Sequence, residues 1–257
     1  MPTIDVITAF PHNPDNPLRT INDFDFLQSE NLTIRLRHNP MGSIHGQSDI
    51  EHEFSKPGMA LAALDAEKSA SDAIVIESMG DTALRACREL VNIPVVGMAD
   101  SSMRVATSLG RKFAIITVCT WHALYLEELI RQYGVINDYV GFEILNLQPF
   151  FLDLKDKTEL MNKLLNAVVK TINEKDADTI ILGGSYFLGI VPKLQHQLVN
   201  RGYCIPVIDP LMLAIFHAKM LVETNLSHSK ICYPFPQKAN RVLGYSGIES
   251  TPTPYLR

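Results

Sequence analysis

Two short turns of small residues carry the side chains best suited to chemistry. The first is Ser78-Met79-Gly80-Asp81, preceded directly by Glu77, and the second is Gly183-Gly184-Ser185, followed directly by Tyr186. A serine hydroxyl in the first turn can act as nucleophile or proton relay, and equally as a donor that binds substrate or as a helix cap. Glu77 is placed to act as a base where a pocket raises its pKa. The structural alternative is that strand alternation turns its side chain to the face opposite Ser78. Free N–H groups in such turns hold the oxygen atoms of a small anionic or carbonyl compound and share the negative charge that builds up in a reaction.

The two turns occupy equivalent places in an internal repeat. Residues 71–104 and 177–217 follow one plan. A small residue and an aspartate (Ser71-Asp72, Ala177-Asp178) open an apolar run of strand type, Ala73 to Ile76 and Thr179 to Leu182. After the turn comes a helical stretch, with apolar residues at Leu84, Cys87, Leu90 and Val91 or at Ile190, Val191, Leu194 and Leu198. A Pro-led strand closes each copy, Pro94-Val95-Val96 or Pro206-Val207-Ile208. Open parallel sheets bind ligands beyond the carboxyl ends of their strands. The expected fold is therefore α/β: two pseudo-symmetric lobes, each a parallel-type sheet flanked by helices, with Ser78 and Gly184 facing an active-site cleft between them. Residues 1–98 with 209–257 form the expected N-terminal lobe, completed by a returning C-terminal helix and tail, and residues 99–208 form the second.

The remaining segments frame these turns. A first strand at 3–9 leads into a loop from Phe10 to Pro17 that is placed to line the cleft mouth, and a further strand is expected from Leu32 to Leu36. A helix from Asp49 to Lys68 reads as interrupted at Lys56-Pro57-Gly58. Asp100-Ser101-Ser102 reads as the N-cap of a helix carrying Met103 and Ala106 towards Leu109. The strand from Phe113 to Val118 ends in another strand-end loop, Thr117-Val118-Cys119-Thr120, before a helix from Trp121 to Tyr133. Residues 140–154 read as a short strand and a crossover. Leu160, Leu164, Val168 and Ile172 mark an amphipathic helix over 155–174, and 211–223 is helical. The Pro-containing tail is expected to pack over the body or a partner. Cys119 is the thiol placed to reach the cleft, with a buried core position as the alternative. Asp81 serves a helix N-terminus through the dipole, and Asp209 ties loops together at the lobe junction. His122, His196 and His217 lie on expected helices, where they pack or face solvent.

Composition removes several function classes. The 257 residues are 46% hydrophobic and 20% charged, with a formal net charge of -5, which is ordinary for a globular protein. Lys and Arg are scattered, without the basic stripe of a nucleic-acid binder. No apolar stretch approaches the length of a membrane span, and MPTIDVITAF reads as a first strand, so a cytoplasmic protein is expected. Cys87, Cys119, Cys204 and Cys232 have no paired spacing, which points to isolated reduced thiols. There is no HExxH, no His pair with metal spacing and no phosphate loop, so no metal site is expected.

Several segments in shared order then carry a resemblance. They are Gly42-Ser43-Ile44 leading to Lys56-Pro57-Gly58; Asp72 to Asp81; Ile93 to Gly97; Leu109-Gly110-Arg111-Lys112-Phe113; Ile180 to Gly183; Ile205 to Asp209; and Ser229-Lys230 to Pro236-Gln237-Lys238. In these the chain resembles the aspartate/glutamate/hydantoin racemase superfamily, closest to its hydantoin and allantoin racemase branch. The resemblance implies an isomerase of amino-acid metabolism with no metal or organic cofactor, commonly a homo-oligomer, acting on a small molecule with a carboxylate, amide or hydantoin group. It also implies two catalytic cysteines, one in each strand-end turn: one thiolate removes a proton next to a carbonyl and the other thiol supplies one to the opposite face.

This chain has Ser78 and Gly184 at those two positions. A thiol titrates near ~8.5, a serine hydroxyl is far less acidic and glycine offers nothing, so two-thiol racemisation is excluded. Ser185 and Tyr186 sit beside the vacant second position. Either hydroxyl can replace the lost acid, or Ser185 caps the helix while Tyr186 fills the volume left by Gly184. The expected catalytic set is Ser78, Ser185, Tyr186 and Glu77, and the expected substrate-binding set is Phe10, Ser43, Ile44, Met79, Gly80, Thr117 and Gly184. His45 lies in a loop that the resemblance places near substrate. Three functions fit: cofactor-independent carbon-acid chemistry on a hydantoin-like or amino-acid-derived compound; lyase, decarboxylase or hydrolase chemistry on the same scaffold; and binding of a small ligand without catalysis.

Overall fold

The computed structural model describes residues 1–14, 19–44, 46–147 and 157–236. Two four-stranded parallel sheets organise them. The first comprises β1 (Thr3–Thr8), β2 (Thr33–His38), β3 (Ala73–Glu77) and β4 (Val95–Gly97) in the order β2-β1-β3-β4. The second comprises β5 (Phe113–Thr117), β6 (Tyr139–Ile144), β7 (Thr179–Leu182) and β8 (Val207–Ile208) in the order β6-β5-β7-β8. The helices are α1 (Asp49–Lys68), α2 (Leu84–Leu90), α3 (Met98–Leu109), α4 (Thr120–Gln132), α5 (Lys157–Lys175), α6 (Val191–Asn200) and α7 (Pro210–Glu223). The expected α/β fold with a repeated plan is what the chain adopts, and the repeat extends over all four strands of each sheet. Among the described residues no helix is long and apolar enough to cross a membrane.

The chain divides into two compact units. One holds Met1–Glu77, Thr82–Val96 and the segment from Ile215, and the other holds Ser78–Asp81 and Gly97–Ala214. In the first, α1 lays Met59, Ala62, Ala63 and Ala66 at helical spacing among Ile7, Ile74, Ile76, Leu84, Cys87 and Val95. In the second, Leu160, Leu164 and Val168 of α5 pack with Ala114, Ile116, Ile180, Leu182, Leu194 and Leu198. Strands β3, β5 and β7 are buried along their whole length, which is why they read as continuous apolar runs.

The aspartate that opens each repeat has one job in both units. Asp72 Oδ2 accepts the N–H of Thr3 (2.7 Å) at the start of β1. Asp178 accepts the N–H groups of Arg111 (2.8 Å) and Lys112 (3.1 Å) just before β5. Each pins the central strand of its sheet to the strand that carries a candidate turn.

Two expectations are corrected. Helix α1 runs unbroken through Pro57; the Lys56-Pro57-Gly58 stretch does not interrupt it. Its glycine serves close approach instead: a Cβ on Gly58 would fall 1.8 Å from Oδ1 of Asn39. The Nδ2 of that buried asparagine donates to Ala9 O (2.7 Å) and Ser55 O (2.9 Å). Helix α3 begins at Met98, so Asp100, Ser101 and Ser102 lie inside it and are buried. Its cap comes from elsewhere in the chain, from Asp81. The described part of the tail packs on the first unit, where Lys230 Nζ donates to the carbonyls of Arg88 (2.7 Å) and Glu89 (3.3 Å) at the end of α2. The expected crossover over 148–154, residues 155–156 of the expected helix, residues 15–17 of the loop after Phe10, and the tail beyond Pro236 lie outside the described residues.

Candidate active site

The turn after β3 is folded by its own serine. Ser78 Oγ accepts the N–H of Gly80 (3.1 Å), and the Ser78 carbonyl accepts that of Asp81 (3.1 Å). The Gly80 amide, expected to hold substrate, is thus engaged by the Ser78 hydroxyl oxygen, and the Met79 side chain is buried. Asp81 and Ala83 both take left-handed backbone (φ +46° and +60°), a conformation that costs non-glycine residues energy and gathers at functional turns. The Asp81 carboxylate accepts from Ala99 N (3.0 Å), Asp100 N (2.7 Å) and Tyr133 OH (2.6 Å). It therefore caps α3, across the sequence from its own neighbours. Gly97 leaves room for it, since a Cβ there would stand 2.4 Å from Asp81 Oδ1. Burial pushes the Asp81 carboxyl up to about 6 against the pull of these three hydrogen bonds.

The turn after β7 is filled by an aromatic ring. Gly183 N donates to Ile116 O (2.7 Å), which sets the turn against β5. Gly184 has extended backbone (φ 176°), which any residue adopts, so space and not conformation demands glycine there. A Cβ on Gly184 would lie 2.1 Å from Cζ and 2.5 Å from the hydroxyl oxygen of Tyr186. The Tyr186 hydroxyl donates to Gly183 O (3.1 Å). Burial raises the phenol's pKa, neighbouring Cys119 adds to the rise, and the nearby Thr117 side chain opposes it. Ser185 is buried and opens the 3-10 turn Ser185–Phe187. Asp209 accepts Gly189 N (2.7 Å) and Met212 N (3.1 Å), so it ties the loop beyond this turn to the first turn of α7, as a loop-tying aspartate should.

Thr117 ends β5 fully buried, with Oγ1 2.8 Å from Nδ1 of His122 in the first turn of α4. His122, expected to pack or face solvent, is half-buried and stacks on Trp121 (6.3 Å between centroids), and this bond is an addition to that expectation. The legible signal was its place three residues after the strand-end Cys119. Cys119 itself is half-buried, the residue before α4, and packs beside the second unit's core.

The first unit holds the other candidates. Thr8, His38 and Glu77 stand in register at the carboxyl ends of β1, β2 and β3. Glu77 Oε1 accepts from Arg19 Nε (2.8 Å), and both side chains are buried. Its Oε2 is buried without a hydrogen-bond partner among the described residues. A carboxylate held this way is a structural anchor more readily than a base. His38 Nδ1 lies 3.2 Å from Thr8 Oγ1, and burial, then His12, lower its pKa against the influence of Glu77. Phe10 meets His52 edge-on (5.5 Å between centroids) and covers Gly46, where a Cβ would fall 1.9 Å from its Cζ. Ser43 Oγ donates to Glu51 Oε1 (3.3 Å) and Ile44 is exposed. His45 lies outside the described residues. Ser78, Met79, Gly80, Thr117, Gly184, Ser185 and Tyr186 all belong to the second unit, and Glu77, Phe10, Ser43 and Ile44 to the first. Among the described residues no group of three or more His, Cys, Asp or Glu is arranged to hold a metal ion.

The profile of the family described as Asp/Glu/hydantoin racemase matches residues 26–218. The chain belongs to this family. A hydantoin racemase from Pseudomonas sp. (strain NS671) is 29% identical over 207 residues, 79% of each chain. The fold is that of an allantoin racemase from Klebsiella pneumoniae, with a TM-score of 0.85 at 23% identity over 97% of this chain and 100% of that one. Arylmalonate decarboxylase also shares it, with a TM-score of 0.59 at 16% identity over 86% and 92% of the two chains. Within this racemase family, then, the chain carries Ser78 in a self-bonded turn and Gly184 beneath the ring of Tyr186.

Proposed function

We propose that this family member performs cofactor-independent carbon-acid chemistry on a small amino-acid-derived or hydantoin-like compound, with a hydroxyl in place of the thiols. The observation that carries this reading is the Tyr186 hydroxyl standing where the side chain of residue 184 would start. In this reading the substrate's carbonyl or carboxylate oxygens rest on backbone N–H groups of the two turns, which share the enolate-like charge. Ser78 binds substrate and shapes its turn, and Ser185 lies beside the phenol. The phenol exchanges the proton on carbon.

The test is α-proton exchange in deuterated water, followed by NMR, with 5-substituted hydantoins, allantoin and acidic amino acids. Exchange on at least one of these classes, lost in Tyr186→Phe, is the expected result. No exchange across the panel contradicts the reading. A second reading is favoured by the inequality of the turns, since only one of them presents an ionisable hydroxyl beside the vacant position. Loss of carbon dioxide from an activated dicarboxylate generates the carbanion without a base and then needs one proton, delivered from one face. Carbon dioxide release from substituted malonates, with no α-exchange on the panel, would select that decarboxylase reading.

A further inference from the structure

The carboxylate of Asp81 has partners whose polarity can be counted out. Its two oxygens accept from Ala99 N (3.0 Å), Asp100 N (2.7 Å) and Tyr133 OH (2.6 Å). All three bonds suit the ionised form, which only accepts. The two backbone N–H groups cannot take a hydrogen bond in return. If Asp81 takes a proton from solvent, its O–H can donate, among these partners, to the Tyr133 oxygen alone, and the phenol's own hydrogen must then turn away. Asp81 is buried, so these partners decide its proton state in place of bulk water.

The same residue closes the first turn. Asp81 N donates to Ser78 O (3.1 Å), and Ser78 Oγ accepts from Gly80 N (3.1 Å). Its side chain fixes that turn to the start of α3, and Tyr133, the C-cap of α4, reaches it from the far end of another helix. Arg104 steadies both neighbours: its Nε donates to Asp100 Oδ1 (2.6 Å), and its guanidinium lies over the Tyr133 ring (6.0 Å to the centroid). All of these residues belong to the second unit. Burial favours the acid form of Asp81, and so does the charge of Asp100; the Tyr133 hydroxyl and the two amides favour the carboxylate. A buried charge on a left-handed, non-glycine residue is a feature that gathers at functional positions.

We propose that Tyr133 is a positioning residue: by holding Asp81 in its ionised form it sets the Ser78–Asp81 turn, which is in place to bind substrate only while that carboxylate is charged. The proposal rests on the carbon-acid reading above, which puts substrate oxygens on the N–H groups of this turn. Protonation reverses the Asp81–Tyr133 bond and leaves the N–H groups of Ala99 and Asp100 facing a weaker acceptor. The cap on α3 then loosens, and the turn that shares residue 81 loses its anchor.

The test uses full-length protein labelled with carbon-13 at aspartate Cγ and with nitrogen-15 in the backbone. The Asp81 resonance is assigned by its absence in Asp81→Asn. In the native chain it should titrate with a midpoint of about 6, and the Gly80 amide resonance should move through the same midpoint. In Tyr133→Phe both midpoints should rise together by about one to two pH units. On a compound that the enzyme exchanges, kcat/KM should fall about tenfold per pH unit below the midpoint. This acid limb should move up with the midpoint in Tyr133→Phe, while the rate on its alkaline side stays within about threefold of native. A tyrosine that merely supports the fold would lower the rate at every pH and leave the limb where it is. An Asp81 midpoint that stays put in Tyr133→Phe overturns the proposal, and so does an acid limb that ignores the midpoint. If Tyr133→Phe does not fold, the native chain decides: a Gly80 amide that follows the Asp81 titration upholds the link, and one that ignores it overturns it. Midpoints that rise together in a protein that exchanges nothing on the panel uphold the hold on the turn and count against the carbon-acid reading instead.

Discussion

Residue 184 and the ring of Tyr186 compete for one volume, and that competition is measurable. Since Gly184 is extended, Gly184→Cys meets no backbone penalty; its cost comes from the Cβ placed 2.1 Å from Cζ of Tyr186. Overpacking of this kind typically costs about 1–3 kcal/mol, read by urea denaturation. In a Gly184→Cys, Tyr186→Ala double variant the clash is gone, so the loss should be smaller than the sum of the single losses. Strict additivity would mean that the ring does not hold that place. Asp81 gives a second test. Its folded pKa, raised from 3.8 to about 6, makes the folded chain bind more protons than the unfolded one between these values. The stability from this group is fully present below 3.8 and is lost as pH rises through about 6. Replacing it by asparagine, Asp81→Asn, should flatten that part of the stability–pH curve; an unchanged slope contradicts the assignment.

At the scale of elements, the aspartates that open the repeats are the most legible feature of the fold, and their two bonding patterns rank them. Asp178 takes two backbone N–H groups and Asp72 one. Asp178→Ala should therefore cost about 1–3 kcal/mol and more than Asp72→Ala, in urea denaturation of the two variants. An equal or reversed order would show that the number of N–H groups held does not rank the two pins. The strand–turn–helix–strand plan was readable because parallel strands buried on both faces leave unbroken apolar runs. The fuller repeat was not, because its connections differ: a 3-10 turn at Ile21–Phe24 follows β1, whereas helix α4 follows β5. Pro57-Gly58 and Asp100-Ser101-Ser102 misled for a shared reason. The Asn39 bracket and the Asp81 cap come from distant positions, and local pattern cannot show them.

At the scale of the whole molecule, the family was legible in the order and spacing of several short segments, and so was the absence of both expected thiols. What occupies the second of their places was not legible, because it depends on a ring folding back two residues. Tyr186 entered the reading as one of two open alternatives, acid or filler; its ring fills the volume, and the acid role of the hydroxyl it carries there is the proposal. The central claim is carbon-acid catalysis without a thiol. It is tested most directly by replacing all four cysteines, Cys87→Ala, Cys119→Ala, Cys204→Ser and Cys232→Ser, and measuring α-proton exchange on a compound that the native chain accepts. The account expects exchange within about 10-fold of the native rate in this variant and its loss when Tyr186→Phe is added. Loss of exchange in the cysteine-free chain, with exchange intact in Tyr186→Phe alone, would return the chemistry to a thiol and contradict the account.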